Sequence, residues 1–342
     1  MQTKVVKIDN DNIDKEKIGM LGEILRSGGL VAFPTETVYG LGADALNEDA
    51  VKGIFSAKGR PGDNPLIVHF ANAEDAERVC YVTEEAKKLF ASFSPGPVTV
   101  ILKKKPCLGN AVTAGLDTVA VRVPSNKTAR ALIEAAGVPV AAPSANISGK
   151  PSPTTAEDVI DDMLGKIDAI IDGISCDVGV ESTVVDMTGE NPVILRPGAV
   201  TLHDIQRLFP KATVDKHVLM AVSAEDKPKS PGMKYKHYSP DAEVYVVEGS
   251  ADNISAKITE LLTENAGKKL GVLTMGRHYN ADCEIFAGKD NKEYAKNLFR
   301  ALRDFDRAGV EIVYAEFISD EEYGLAVKNR LYKSAGNKII YV

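Results

Sequence analysis

Hydrophobic positions recur along this chain at two spacings, one of three to four residues and one strictly alternating, and each change of rhythm marks a new element. Met1 to Ile8 opens with K-V-V-K-I and reads as an edge strand. Ile18, Leu21 and Leu25 repeat at helical spacing between Asp14 and Ser27, and Gly28-Gly29 supplies the stop. Leu30 to Phe33 is a strand. Pro34 takes the chain out of it, because proline cannot donate to a ladder. The turn-forming segment from Pro34 to Gly40 sets Thr35, Glu36, Thr37 and Tyr39 where a buried strand would hold more valine. Asn47 caps a helix whose inner face is Val51, Ile54 and Phe55. Lys58 lies four residues beyond Ile54, so it leaves that helix on the core-facing side, an odd direction for a solvent lysine. Leu66 to Phe70 is the next strand. Helical patterns follow at Ala73 to Val79 and Glu84 to Ser92, and S-P-G-P-V-T-V-I-L turns into a further strand.

Thr118 to Pro124 alternates cleanly: Val119, Val121 and Val123 face one way, Thr118, Ala120 and Arg122 the other. Arg122 therefore either lines a cavity or faces water from an edge strand, and the pattern weighs the two evenly. Asn126 caps a helix to Ala136, and Val138 to Ala142 is a strand. It ends in P-S-A-N-I-S-G-K-P-S-P-T-T, which leads into a helix with a capping box from Thr154 to Glu157. Hydroxyl residues before a helix N-terminus suit a phosphate; a plain loop before a well-capped helix is the commoner case. Ala169 to Asp172, Ser182 to Met187 and Val193 to Leu195 read as strands, and Thr201 caps a helix to Phe209.

From Lys211 to Asp241 the pattern weakens. Lys227 to His237 holds four lysines, no acid, and Pro228, Pro231 and Gly232. This is either a solvated basic linker or a segment that lies over a nucleotide or another anionic surface. From Glu243 onward strands and helices alternate, with strands at Glu243 to Glu248, Leu270 to Met275, Val310 to Ile318 and Lys338 to Val342. Helices at Ile254 to Leu262, Glu293 to Phe305 and Tyr323 to Ala335 separate them, the rhythm of a small parallel α/β domain. It lacks G-x-G-x-x-G after its first strand, so it does not read as a dinucleotide binder.

Composition narrows this picture. A chain of 342 residues accommodates two domains, and 44% hydrophobic with 26% charged residues is ordinary for a soluble protein. No apolar run approaches the roughly eighteen residues of a membrane span, and the N-terminus lacks a signal-peptide core. Cys80, Cys107, Cys176 and Cys283 are scattered, with no C-x-x-C, as in a reduced, cytoplasmic protein. A net charge of -7 opposes a surface devoted to nucleic acid, although a local basic groove stays possible.

There is no P-loop, no G-x-S-x-G elbow and no H-E-x-x-H. What the chain offers is Lys58, Arg60, Asn64 and His69 within twelve residues, further cations at Arg122 and Arg196, and hydroxyls at Thr35, Thr118, Ser144 and Ser182. Without an obvious nucleophile, that set suits catalysis by positioning and charge stabilisation, as phosphoryl or nucleotidyl transfer requires.

P-T-E-T-V-Y-G-L-G, A-K-G-R-P-G-D-N-P-L-I-V-H, S-P-G-P-V-T, V-A-V-R-V-P, A-P-S-A-N-I-S-G-K-P-S-P-T and S-T-V-V-D with I-L-R-P-G, in this order, resemble the YrdC-like family in its longer, two-domain form. The resemblance implies an α/β architecture: a YrdC-like twisted open-sheet catalytic domain over 1–211, a linker over 212–242 whose S-P-G-M-K-Y-K-H-Y-S-P segment closes over the site, and a small C-terminal Rossmann-like parallel domain over 243–342. It implies a nucleotidyltransferase that joins L-threonine, bicarbonate or CO2, and ATP into threonylcarbamoyl-adenylate and pyrophosphate. The product then serves tRNA position 37 through the tRNA threonylcarbamoyl transferase machinery. By motif, Thr35, His69, Arg122 and Ser182 hold L-threonine. Lys58, Arg60, Asn64, Thr118, Ala142, Ser144, Asn146, Ser152, Arg196 and Tyr235 hold ATP. Mg2+ is bound through ATP, with no protein side chain as its ligand. Gly62 and Lys236 stand where the family often has serine and arginine. The rival readings are an RNA-binding module of the same fold, a carbamoyl-transfer domain that uses carbamoyl phosphate, and a C-terminal domain that serves only for interaction. Direct tRNA binding is left open.

Overall fold

The computed structural model describes residues 2–218 and 238–342. They divide into two units: residues 2–148, 153–177 and 181–218, and residues 149–152, 178–180 and 238–342.

The strands of the first unit are β1 (Lys4–Lys7), β2 (Val31–Phe33), β3 (Gly40–Asp44), β4 (Ile67–His69), β5 (Val98–Lys103), β6 (Thr118–Arg122), β7 (Val140–Ala141), β8 (Ala169–Asp172), β9 (Thr183–Asp186), β10 (Val193–Arg196) and β11 (Thr213–Val214). They form one mixed sheet, ordered β1-β8-β2-β3-β7-β4-β6-β5-β9-β10-β11. Its helices are α1 (Lys15–Arg26), α2 (Glu48–Lys58), α3 (Glu84–Phe93), α4 (Asn110–Thr113), α5 (Lys127–Ala136), α6 (Ala156–Met163) and α7 (Leu202–Leu208). Asp14, Asn47, Thr83, Asn126 and Thr201 cap the starts of α1, α2, α3, α5 and α7 by accepting from backbone N–H groups that lack an intrahelical partner.

The sheet buries both faces. Val119, Val121 and Val123 join Val68, Val98, Val100 and the α2 face of Val51, Ile54 and Phe55 in the main core. Ile67, Ile101, Ala120, Val184 and Leu195 form a smaller apolar cluster of their own. A further core joins α1 and α5 through Ile18, Leu21, Leu25, Leu132 and Ile133. These two helices cross closely at Gly22, where an added Cβ would meet the Ala135 carbonyl carbon at 2.7 Å and the Ala136 nitrogen at 2.8 Å. Alanine gains about 1 kcal/mol of helix propensity over glycine. Contact with backbone atoms outweighs it, because they yield less readily than a flexible side chain. Gly22→Ala is therefore expected to lose stability by about 1–2 kcal/mol net, read as a lowered melting temperature.

The second unit holds β12 (Glu243–Glu248), β13 (Leu270–Thr274), β14 (Cys283–Phe286), β15 (Ile312–Phe317) and β16 (Ile339–Tyr341), all paired in parallel in the order β14-β13-β15-β12-β16. Helices α8 (Ala251–Glu264), α9 (Asn291–Arg307) and α10 (Gly324–Ser334) connect them. Helix α9 buries Tyr294, Leu298, Phe299, Leu302 and Phe305, a regular 3.6-period stripe.

The structure corrects several sequence expectations. The α6 cap is Thr155, not Thr154. Thr155 accepts from Asp158 N, and the Asp158 carboxylate accepts from Thr154 N at 3.2 Å, so the cap sits one residue later than expected. Residues 74–78 form a 3-10 turn where an α-helix was expected. Strands β3, β11 and β14 were not anticipated. In β3, Gly40 and Gly42 hide the strand pattern, and the Phe33 ring leaves little room at Gly42, where a Cβ would stand 2.9 Å from Phe33 Cε1 and 2.9 Å from Val140 Cγ1. Among the described residues, no helix is long and apolar enough to cross a membrane.

Candidate active site

Strand β6 lies inside the sheet, parallel to β4 and antiparallel to β5, so Arg122 is not an edge-strand residue. It is 4% exposed, which rules out the water-facing alternative. Register extends the pattern across four strands. His69 pairs with Arg122, Arg122 with Thr99, and Thr99 with Val184; Arg196 stands opposite Val184 only across a register shift in β10. Paired residues project to one side of a sheet, so this row lies on one face, away from the valines of the main core. Thr118 shares the face, about 13 Å along β6 from Arg122 at ~3.3 Å per residue.

Each cation of the row is held by specific partners. Arg122 Nη2 donates to Glu36 Oε1 at 2.7 Å, and the other carboxylate oxygen accepts from Ser125 N at 3.2 Å. Arg196 donates through Nε to Ser182 O at 3.0 Å and through Nη2 to Ser182 Oγ at 3.1 Å. Ser182 Oγ also meets Thr99 Oγ1 at 2.7 Å. Since arginine only donates, Ser182 accepts there, and its one remaining proton serves either Thr99 or an incoming ligand. Thr35 Oγ1 donates to Val38 O at 2.7 Å and accepts from Thr37 N and Val38 N. Its hydroxyl thus builds the turn that carries Glu36.

His69 is 3% exposed and stands edge-on to the Phe33 ring, 6.2 Å between centroids. Burial, then the Arg122 charge, pull its pKa down to about 3, against partial opposition from the Ile67 and Val140 carbonyls. The imidazole is therefore neutral in the working range and offers one donor and one acceptor. The sign for stability follows. The folded value lies below the unfolded one, so the neutral form costs nothing above about pH 6.5, and stability is lost as pH falls from there toward 3. Wild type is expected to lose melting temperature relative to His69→Gln between about pH 7 and pH 4, and kcat/KM is expected to show no histidine limb near 6.5. A limb there would contradict the neutral assignment.

A second group gathers where α2 ends. Lys58, 3% exposed, donates to the Ser144 carbonyl, to Asn146 O at 2.6 Å and to Asn146 Oδ1 at 3.4 Å. Ser148 N returns a bond to Lys58 O at 2.9 Å. The core-facing direction expected of this lysine is thus a clamp on the A-P-S-A-N-I-S loop. Asp162 and Asp158 support the same loop and its continuation through Ile147 N and Thr154 N. Arg60 Nη2 donates to Asn64 O at 3.2 Å and lies 5.9 Å over the Phe55 ring. Ala142 N donates to Ile67 O at 2.8 Å, which ties that residue to β4. Asn64 is fully buried, yet among the described residues neither its Oδ1 nor its Nδ2 meets a hydrogen-bond partner, nor does buried Arg122 Nε. Such groups cost roughly 1–3 kcal/mol each when left unsatisfied, so a polar partner at either place would be stabilising.

The first unit thus gathers Thr35, His69, Arg122, Ser182 and Arg196 around one sheet face, and Lys58, Ser144 and Asn146 around one loop. Ser152 groups with the second unit, and Tyr235 and most of the basic linker lie outside the described residues. Two contributors escaped sequence reasoning. Glu36 was visible only as a carboxylate where valine would be expected, and Thr99 looked like an ordinary strand residue. A cleft of about 670 Å3 borders this loop: Lys58, Gly59 and Ile147 line it together with Gly28, Gly53 and Lys166.

A family model described as Telomere recombination (Sua5_yciO_yrdC) matches residues 23–198. A second, described as Threonylcarbamoyl-AMP synthase, C-terminal domain, matches residues 200–336. The chain is 50% identical to the threonylcarbamoyl-AMP synthase of Pyrococcus abyssi over 335 residues, 97% of this chain and 98% of that protein. It is 45% identical to the threonylcarbamoyl-AMP synthase of Bacillus subtilis over 339 residues, 97% of this chain and 96% of that protein. The crystal structure of P. abyssi Sua5 complexed with L-threonine superposes with a TM-score of 0.96 at 48% identity, over 99% of this chain and 100% of that one.

Proposed function

The chain belongs to the Sua5/YrdC family of threonylcarbamoyl-AMP synthases, and from that premise we propose how its residues divide the reaction. It is an enzyme that forms threonylcarbamoyl-AMP from L-threonine and ATP. In our reading the threonine amine captures CO2, supplied as bicarbonate, to give a carbamate. A carbamate oxygen then attacks the α-phosphorus of ATP, and pyrophosphate leaves with the electron pair of the broken bond. Arg122 pairs with the threonine carboxylate, and neutral His69, Thr35 and Ser182 complete the amino-acid side. Lys58, Arg60, Asn64, Thr118, Ala142, Ser144, Asn146, Ser152 and Arg196 serve ATP.

The observation that carries this division is that two buried groups of the first unit, Arg122 Nε on the sheet face and the Asn64 amide beside Arg60, meet no hydrogen-bond partner among the described residues. The first suits a carboxylate, the second a polyphosphate next to a cation. The donors around the second are cations and amides, so we place Mg2+ on the ATP oxygens, where it would offset phosphate charge. We also propose a cytoplasmic setting, with the product passed to the tRNA threonylcarbamoyl transferase machinery. The RNA-binding alternative is not favoured, since the relatives matched along nearly the whole chain are named as synthases. Pyrophosphate release measured with and without L-threonine tests the reading. Release is expected only with the amino acid present; equal release without it would refute the substrate assignment.

A further inference from the structure

Building on the reading of the sheet face as a threonine pocket, we propose that Glu36 is a positioning residue, which holds Arg122 so that its guanidinium is preset for the threonine carboxylate. Glu36 sits on the Thr35 turn and uses its two carboxylate oxygens for two separate tasks. One accepts from Arg122 Nη2 at 2.7 Å; the other accepts from Ser125 N at 3.2 Å, just before the Asn126 cap of α5. A single side chain therefore ties together the turn after β2, the end of β6 and the start of α5.

The pair is buried at both ends, with side-chain exposures of 5% for Arg122 and 9% for Glu36. A guanidinium has five N–H donors in a rigid fork. Glu36 engages Nη2, while Nε is buried with no partner among the described residues, so part of the fork stays available to a second acceptor. Glu36 also cancels the Arg122 charge in the resting pocket. A carboxylate is then selected by the direction of the remaining donors more than by excess positive charge. Neutral His69, the register neighbour of Arg122, adds no competing ion. Without Glu36, a long flexible side chain would stand as a lone buried cation, free to take other rotamers.

The test uses Glu36→Gln in the full chain. Glutamine keeps the size but has one acceptor oxygen, so either Arg122 Nη2 or Ser125 N loses its partner. L-Threonine and L-threoninamide, which lacks the carboxylate charge, are titrated by ligand-observed NMR into wild type and variant without ATP. Threonine affinity is expected to fall at least ~10-fold, while threoninamide affinity and the KM for ATP stay within about twofold. Unchanged or tighter threonine binding would overturn the proposal. So would equal losses for both ligands, since that pattern marks general loosening. If the glutamine variant melts below the assay temperature, Glu36→Asp, which keeps both acceptors but draws them back by a methylene, is judged by the same criteria. A wild type that binds neither ligand would instead sink the threonine pocket itself.

Discussion

Arg122→Ala is expected to lower kcat/KM for L-threonine by at least ~1,000-fold, about 4 kcal/mol of transition-state stabilisation. The guanidinium carries a buried N–H on the sheet face that meets no acceptor among the described residues, and a carboxylate held by an arginine fork is the strong form of such a contact. Alanine removes the fork and leaves Glu36 buried without its cation. Breaking a buried pair in this way costs about 3–5 kcal/mol of stability, so lost activity by itself does not separate binding from folding. Two further variants make the separation. In Arg122→Ala with Glu36→Gln, the stranded charge is gone, and part of the lost melting temperature is expected to return while threonine binding does not. Arg122→Lys keeps a charge but offers a compact ammonium in place of the planar fork, and a loss of roughly 100-fold is expected. Steady-state pyrophosphate release at saturating ATP, beside circular-dichroism melts, checks all three. An alanine variant that retains turnover within tenfold of wild type would remove Arg122 from the substrate site.

Lys58→Ala is expected to lower kcat by roughly 1,000-fold at saturating substrates, while threonine affinity without ATP changes by no more than about threefold. The asymmetry comes from geometry. Lys58 Nζ is gripped by Ser144 O, Asn146 O and Asn146 Oδ1, so its loss releases the loop that carries Ser144 and Asn146. It also removes a positive charge where the triphosphate is proposed to lie, and charge stabilisation of this kind often dominates phosphoryl-type transfer. The threonine side, built on β4, β6 and β9, keeps its own supports. Lys58→Arg is not expected to rescue, because three converging acceptors fit a compact ammonium better than a flat guanidinium. Equal losses on both sides of the site would mean that the two substrate regions are not separately built.

Much of this site was legible from spacing. The two-residue period of T-V-A-V-R-V places Arg122 opposite the valines, and the structure keeps that division, with Val119 and Val121 in the main core. Lys58 was legible as core-facing from its distance to Ile54, although the acceptors it meets were not. Two of those three acceptors are backbone carbonyls more than eighty residues away in sequence, and side-chain pattern says nothing about carbonyl direction. Glu36 shows the limit most clearly. Its polarity was evident, but its partner Arg122 lies 86 positions on, and the turn after β2 meets the end of β6 only in the assembled sheet. Thr99 was hidden because its role depends on Ser182, which reaches it only through the β5–β9 pairing. The fold failed to announce itself where tertiary contact overrides local pattern. Gly40 read as the end of a turn, yet it opens a strand, in which Gly42 packs closely on the ring of Phe33.

The central claim is that one site joins a threonine-derived carbamate to AMP. Incubating the protein with ATP, L-threonine, Mg2+ and carbon-13 bicarbonate, followed by mass spectrometry of the nucleotide products, tests it most directly. The expected result is threonylcarbamoyl-AMP that carries the single carbon label, formed in step with pyrophosphate and absent when threonine is omitted. An adenylate without the label, or pyrophosphate released at the same rate without threonine, would contradict it.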